Sequence, residues 1–302
     1  MYWEILNMAP LKRKNTGLCV DGRQAAGLSR GGSKLAFPDF SRTYAMLRVD
    51  IADAVGTLTL DRPDKRNALC EEMVEQISAA FARFRAAGVR CAVLRAQPGC
   101  AVWSAGHDIA EMPESGIDPL AWRDPLRKLV REIETFPAPV VAMIEGSVWG
   151  GACETVFACD LIVAAVGATF AATPAKHSVP YNVTGLLTFL NAASLHLAKE
   201  MLFTAAPIGA ERLHHLGIVN HVVPPAELEE RAYAIAQQIA RNAPLSISVM
   251  KEQLRILAGA HTMSPEDFER IQGLRRVVYN SHDYAEGIRA FKEKRKPVFR
   301  GE

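Results

Sequence analysis

At 302 residues, 49% of them hydrophobic and 23% charged, the chain is long enough to bury a substantial apolar core as one large domain or two modest ones. Its 35 Lys and Arg nearly cancel its 33 Asp and Glu, which excludes a global field drawing the protein to nucleic acid or membrane and leaves a small ligand as the expected partner. The six cysteines (Cys19, Cys70, Cys91, Cys100, Cys153, Cys159) form no CxxC pair and no Cys/His cluster, so no metal site is expected and the thiols read as reduced, in the cytoplasm.

Residues 1–41 scatter Gly, Ser and basic residues (Lys12-Arg13-Lys14, Gly31-Gly32) without apolar periodicity and are expected to be a disordered extension. Their basic character hints at a transit peptide, which Asp21, Asp39 and the Gly-Gly pair fit poorly; a leader and an over-long start both stay open. Order is predicted from residue 42, with strands at 46–51 and Val55–Leu60 joined by a turn at Ala52-Asp53-Ala54. Met73, Ile77, Ala80, Phe81 and Phe84 recur at helical spacing up to Gly88, and a strand follows at Cys91–Ala96. Val140–Ile144 reads as a strand, 152–159 as a helix, Leu161–Ala165 and 169–172 as strands. The apolar stretches are cut by Glu145, Glu154 and Asp160 well short of a membrane span. From Gly185 the pattern is mostly helical, with Leu228, Ala232, Ile235 and Ile239 on one face, and no strand signal follows residue 243. The expected organisation is an α/β core over 42–240 and a helical region over 241–302.

Two loops follow strands with small residues: Ser104-Ala105-Gly106-His107-Asp108, and Ser147-Val148-Trp149-Gly150-Gly151-Ala152. At the second, a strand entering a helix through Gly-Gly exposes first-turn N–H groups and the positive end of the helix dipole, the makings of an oxyanion hole. Gly-Gly before a helix is more often a purely structural turn. Glu154, three residues on, lies on the same helical face; a first-turn Glu favoured by the dipole reads equally well.

Three stretches, Asp61-Arg62-Pro63-Asp64-Lys65-Arg66-Asn67-Ala68-Leu69, Ser104–Asp108 and Gly150-Gly151-Ala152-Cys153-Glu154, resemble in order and spacing the signatures of the crotonase (enoyl-CoA hydratase/isomerase) superfamily. The resemblance runs from about Tyr44 to the C-terminus. It implies a spiral of ββα units, a helical C-terminal region that builds trimers or dimers of trimers, and a thioester carbonyl held by the backbone N–H groups of His107 and Gly151. It also implies a coenzyme A site bordered by Lys65, Arg66, Ala68, Ala105, Gly106, Asp108 and Ile109, with Phe291 and Lys294 at the nucleotide and Lys296 as a second candidate for the phosphates. By spacing alone the run Lys292-Glu293-Lys294-Arg295-Lys296 is better read as a solvated helix end, and the His107 imidazole as a group at the loop surface.

Hydratases of this superfamily need a second carboxylate so that two acid/base groups handle one water, and theirs would fall at Pro174, which cannot transfer a proton. Thr169-Phe170-Ala171-Ala172-Thr173-Pro174, Val179-Pro180-Tyr181-Asn182, Asp267-Phe268-Glu269-Arg270-Ile271-Gln272-Gly273 and Glu293-Lys294-Arg295-Lys296-Pro297 closely resemble a decarboxylating branch instead; Cys153 departs from the aromatic residue frequent there. The implied reaction is loss of CO2 from methylmalonyl-CoA to give propionyl-CoA through an enolate on the thioester oxygen, with no metal or cofactor beyond the coenzyme A of the substrate. Tyr181 and Thr173 are the hydroxyls expected near the departing carboxylate, with Trp149, Ile109 and Val179 as an apolar wall; spacing alone reads both hydroxyls as satisfied loop residues. Glu154 could order water, hold the loop or protonate the enolate. The alternatives are another reaction of the superfamily, enoyl-CoA hydration, against which Pro174 argues, or isomerisation, and a non-catalytic acyl-CoA- or nucleic-acid-binding role, against which the near-neutral charge argues.

Overall fold

The computed structural model describes residues 45–114 and 116–302; the expectations for residues 1–41 and for Cys19 lie outside them. The opening hairpin pairs β1 (Leu47–Ala52) with β2 (Val55–Leu60) from Leu47↔Leu60 to Ala52↔Val55. Its turn places Asp53 and Ala54 at φ 49° and 63°, the left-handed pair that a two-residue connection between twisted strands requires. Helix α1 (Glu71–Ala86) buries the predicted Met73, Ile77, Ala80, Phe81 and Phe84 together with Val74, and leads to β3 (Cys91–Ala96).

From β3 onward the chain repeats one pattern: a strand in a large sheet, a short strand in a small sheet, then a helix. The successive units are β3 with β4 (Val102–Ser104) and α2 (Pro125–Thr135), β5 (Val140–Ile144) with β6 (Ser147–Trp149) and α3 (Gly151–Phe157), and β7 (Leu161–Ala165) with β8 (Thr169–Ala171) and α4 (Val183–Ala192). Helices α5 (Leu195–Thr204) and α6 (Ala210–His215) flank the two-residue strand β9 (Ile208–Gly209), and β10 (His221–Val223) follows. The sheets run β1-β2-β3-β5-β7-β10 and β4-β6-β8-β9. Pairings among β2, β3, β5, β7 and β10 are parallel, as are β4 to β6 and β6 to β8. This is the ββα spiral that the resemblance implied. Strands β4, β6, β9 and β10 have no counterpart among the predicted elements, and Ser147–Trp149, read as loop, is β6, because two or three residues are too few to show an alternation.

Strands β3 and β5 are buried along their whole length, because both faces of a parallel sheet must be covered. Residues 92, 94, 140, 142, 144, 162 and 164 face the main core with α1 and α2. Their alternates Cys91, Val93, Val141, Met143, Val163 and Ala165 face α7 (Leu228–Arg241). The predicted stripe on α7 is corrected in part: Leu228, Ala232, Ala236 and Ala240 are buried, while Ile235 and Ile239 only flank them. Alanine at every fourth position lets the helix axis approach the sheet, and the larger isoleucines then fit only at the margin.

Helix α2 has no counterpart among the predicted elements, although Asp124-Pro125 is a good helix start and Leu126, Leu129, Val130 and Ile133 are spaced as a buried face. The C-terminal part consists of α8 (Pro244–Ala258), α9 (Pro265–Tyr279) and α10 (His282–Lys292). Only α10 docks deeply. A Cβ on its Gly287 would lie 2.3 Å from the His177 carbonyl oxygen, and Tyr284 donates its hydroxyl to the Pro113 carbonyl at 2.7 Å. Among the described residues no helix is long and apolar enough to cross a membrane.

Candidate active site

The first predicted loop is pinned by its neighbour, the Arg66–Leu69 segment. Ala105 N–H donates to the Arg66 carbonyl (2.8 Å), Ser104 Oγ to the Asn67 carbonyl (2.7 Å), and Asn67 Nδ2 to the Trp103 carbonyl (2.9 Å). Arg66 and Asn67 adopt φ 52° to make this tight turn. Leu69 then bridges the loop, its N–H donating to Gly106 O at 2.8 Å and its carbonyl accepting from Asp108 N–H at 3.0 Å. In a planar trans peptide C=O and N–H point in opposite directions. Because Gly106 O faces Leu69, the His107 N–H of the same peptide must face the other way.

What it faces is the start of α3. Gly150, at φ 54°, donates its N–H to the Ala171 carbonyl (2.8 Å) and accepts from Cys153 N–H (3.0 Å), so the Gly151 N–H points out of the open end of the helix. The glycines are steric requirements here. A Cβ on Gly106, at φ 86°, would lie 2.4 Å from Trp149 O and 2.8 Å from Gly151 N; one on Gly151 would lie 2.6 Å from Leu126 Cδ2 and 3.5 Å from His107 N. Neither the His107 nor the Gly151 N–H has an acceptor among the described residues. Two adjacent, unused donors suit an oxygen that gains negative charge.

Glu154 lies one turn into α3, fully buried, with Oε1 paired to Arg127 Nη1 of α2. Burial pushes its carboxyl up to about 7, against the pull of Arg127 and Tyr181. The other oxygen, Oε2, and the Tyr181 hydroxyl are buried without a hydrogen-bond partner in good geometry, yet each lies close enough to shift the other. Burial and then the Glu154 charge raise the Tyr181 phenol well above its ordinary value. The Tyr181 ring packs on α4 against Gly185 and Phe189: a Cβ on Gly185 would lie 2.5 Å from its Cδ1, and the Phe189 ring stands edge-on at 5.7 Å. Thr173 reaches the same region, its Oγ1 3.1 Å from where a Cβ on Gly150 would be. Pro174 follows it and opens a 3-10 turn, Pro174–His177.

The His107 imidazole is not at the loop surface. Its Nε2 lies 2.6 Å from Asp124 Oδ2 and its Nδ1 3.2 Å from the Asp108 carbonyl, with the two side chains 7% and 6% exposed. Burial alone would lower its pKa, but the bond to Asp124 and the charge of that carboxylate outweigh it and raise the value. Asp124 and Arg127 were missed by sequence reasoning; the only local signals were the Asp-Pro start of α2 and a charged residue on its buried side.

Ile109 and Val179 pack against one apolar cluster with Met112, Tyr284 and Ile288, but Trp149 does not join it. Its indole N–H donates to Ser147 Oγ (2.8 Å), two residues back on the same side of β6. Cys153 sits fully buried behind the glycine turn, its thiol against the Val148 carbonyl. Asp108 caps the 3-10 turn Ile109–Glu111 and pairs with Arg62 at 3.0 Å, so its carboxylate is already engaged. Phe291, Lys294 and Lys296 come together with Ala110, Lys176 and His177 around a cleft of about 690 Å³. Lys65 and Arg66 are exposed and Ala68 is buried, and none of the three lines that cleft.

A ββα spiral with two opposed N–H donors at its Gly-rich turns defines the class, and residues 50–302 match the enoyl-CoA hydratase/isomerase family. The chain belongs to that family, within the crotonase superfamily. Methylmalonyl-CoA decarboxylase of Escherichia coli (strain K12) is 46% identical over 259 residues, which cover 86% of this chain and 99% of that protein. A solved structure of methylmalonyl-CoA decarboxylase in complex with 2-nitronate-propionyl-CoA superposes with a TM-score of 0.85 at 46% identity, covering 86% of this chain and all of that one. Carnitinyl-CoA dehydratase of Escherichia coli (strain K12) is more distant, 33% identical over 252 residues, 81% of this chain and 94% of its own.

Proposed function

We propose that this protein decarboxylates methylmalonyl-CoA to propionyl-CoA and CO2. One observation carries the reading: the site joins two free N–H donors to the carboxyl group of Glu154, which is ion-paired with Arg127, while Pro174, the position expected for the second acid of a hydratase, opens a 3-10 turn and can transfer no proton. The thioester oxygen accepts from His107 and Gly151. The C–C bond to the carboxylate breaks perpendicular to the thioester plane, its electron pair enters the carbonyl, and the resulting enolate is held by the two donors. CO2 leaves and C2 takes a proton. Tyr181 and Thr173 orient the carboxylate by donated hydrogen bonds, while Ile109 and Val179 weaken its solvation.

The coenzyme A moiety lies along Ala105 to Ile109 and reaches the cleft of Phe291, Lys294 and Lys296, with Lys65, Arg66 and Ala68 at its border. Coenzyme A enters as part of the substrate, and the reaction needs no other cofactor and no metal, because the enolate charge is met by backbone dipoles. The protein works in the cytoplasm as a trimer or a dimer of trimers. The exposed Leu245, Val249, Leu254 and Leu257 on α8 and Leu274 and Val277 on α9 support the assembly, since such apolar faces favour burial against another copy.

Mass spectrometry of a panel of acyl-CoAs tests the reading. Methylmalonyl-CoA should give CO2 and propionyl-CoA carrying solvent deuterium at C2, without added cofactor, and crotonyl-CoA should be hydrated barely or not at all. Efficient hydration of crotonyl-CoA with no CO2 from methylmalonyl-CoA would return the protein to the hydratases.

A further inference from the structure

The two bonds from Leu69 set the tilt of the peptides on either side of His107, but they act only from the side away from the site. The His107 side chain is a second handle on where the His107 N–H sits relative to Gly151. That ring is held at both nitrogens, by the Asp108 carbonyl and by the Asp124 carboxylate. Both partners are acceptors, so both ring nitrogens must donate, which requires the imidazolium.

Asp124 is itself immobile. Its backbone N–H donates to the Ala121 carbonyl at 3.0 Å, and its Oδ1 accepts from Arg127 N–H at 3.3 Å as the N-cap of α2, which leaves Oδ2 for His107. Two residues on, Leu126 abuts Gly151, and Arg127 grips Glu154. One helical turn thus touches both donor segments.

A cap by itself needs no charge, since Asn, Ser and Thr serve as well, and a buried ion pair is a weak source of stability once desolvation is counted. We propose that Asp124 is a positioning residue of the oxyanion hole: by gripping the His107 imidazole it sets where the His107 N–H meets the thioester oxygen. The inference rests on the enolate chemistry proposed above.

Asp124→Asn keeps the helix cap and removes the charge, leaving the imidazole at best a weaker, neutral hydrogen bond from the amide. Its kcat should fall about tenfold or more, short of the roughly 10²–10³ lost with a whole oxyanion donor, while the Kd for propionyl-CoA, which forms no enolate, moves less than about twofold. His107→Ala, which retains both N–H donors and the cap, should show the same loss. The double variant should lose no more than either alone, because the two side chains act as one unit. Losses that multiply would make Asp124 a helix cap only and overturn the proposal, as would full turnover by Asp124→Asn. If Asp124→Asn does not fold, a folded His107→Ala with wild-type kcat overturns it equally. The cycle is read on whichever acyl-CoA the wild-type enzyme turns over. Coupling on another thioester, with methylmalonyl-CoA inert, would sink the substrate reading and leave Asp124 in its role.

Discussion

The two halves of the site are built on opposite principles. The oxyanion half is backbone: two N–H groups, each beside a glycine, each aimed by a main-chain hydrogen bond on the same or the neighbouring peptide, with Leu69 and Ala171 as the partners. The carboxyl half is side chain: Glu154 from α3, Arg127 from α2 twenty-seven residues earlier, and Tyr181 from the loop before α4. The first half is preorganised by glycine turns whose peptides are held by main-chain hydrogen bonds to Leu69 and Ala171. The second exists only because three elements pack a carboxylate, a guanidinium and a phenol into a space that excludes water. The backbone half should therefore fail in chemistry while the fold survives, and the side-chain half should fail in stability and pH response as well.

The largest expected effect strikes the side-chain half. Arg127→Met leaves Glu154 buried without its partner and should cost about 3–5 kcal/mol of unfolding free energy at pH 8, read by urea denaturation; Glu154→Gln in the same chain should recover much of it. A loss below about 1 kcal/mol, the scale of an exposed pair, would mean that the pair is not load-sharing in the core.

The pH dependence sharpens the same point. Because Glu154 is raised from 4.5 to about 7 in the folded state, that state binds the proton more tightly than the unfolded chain. Its contribution is full below pH 4.5 and is lost as the pH rises toward 7. His107, raised above 6.5, adds a loss in the same direction that begins above pH 6.5. Glu154→Gln should flatten the stability profile between pH 4.5 and 7 and leave the later fall in place. An unchanged profile would contradict the burial argument.

In the backbone half, Gly151→Pro removes one donor at the first helical position, where proline suits the helix, although Leu126 must shift to admit the ring. Turnover should drop by about 10²–10³ with the helical circular dichroism intact and propionyl-CoA still bound. Unchanged turnover in the folded variant would remove Gly151 from the oxyanion hole. Tyr181→Phe should be milder. The ring still fills its slot between Gly185 and Phe189, and the hydroxyl it loses has no partner in good geometry, so stability should shift by less than about 1 kcal/mol. Decarboxylation should nevertheless slow by about tenfold, as expected for one lost orienting hydrogen bond, with propionyl-CoA binding little changed. Equal losses in both would make Tyr181 a general packing residue. The smallest effect is expected at the distant cleft: Lys294→Met should raise KM about threefold, less so at high salt, as for a solvent-exposed charge contact. A change in kcat instead would place Lys294 nearer the chemistry.

What the sequence by itself determined is what depends on neighbours along the chain. The hairpin, the α1 face, the strands at 91–96, 140–144 and 161–165, and the two glycine turns follow from period, turn chemistry and the need for φ above zero, and the three signature stretches tied them to a family. The tertiary structure decided what depends on residues distant in sequence. It buried Ala236 and Ala240 where isoleucine was expected, because the helix-to-sheet spacing favours the smaller side chain. It turned Trp149 toward Ser147, and it drew His107 inward onto Asp124. It also recruited Arg127 from an unpredicted helix to meet Glu154. A glycine's conformational freedom is a property of its own backbone and can be read locally. The protonation and orientation of a buried acid or imidazole are set by whichever charges the fold brings beside it, and those are specified only when the chain has packed.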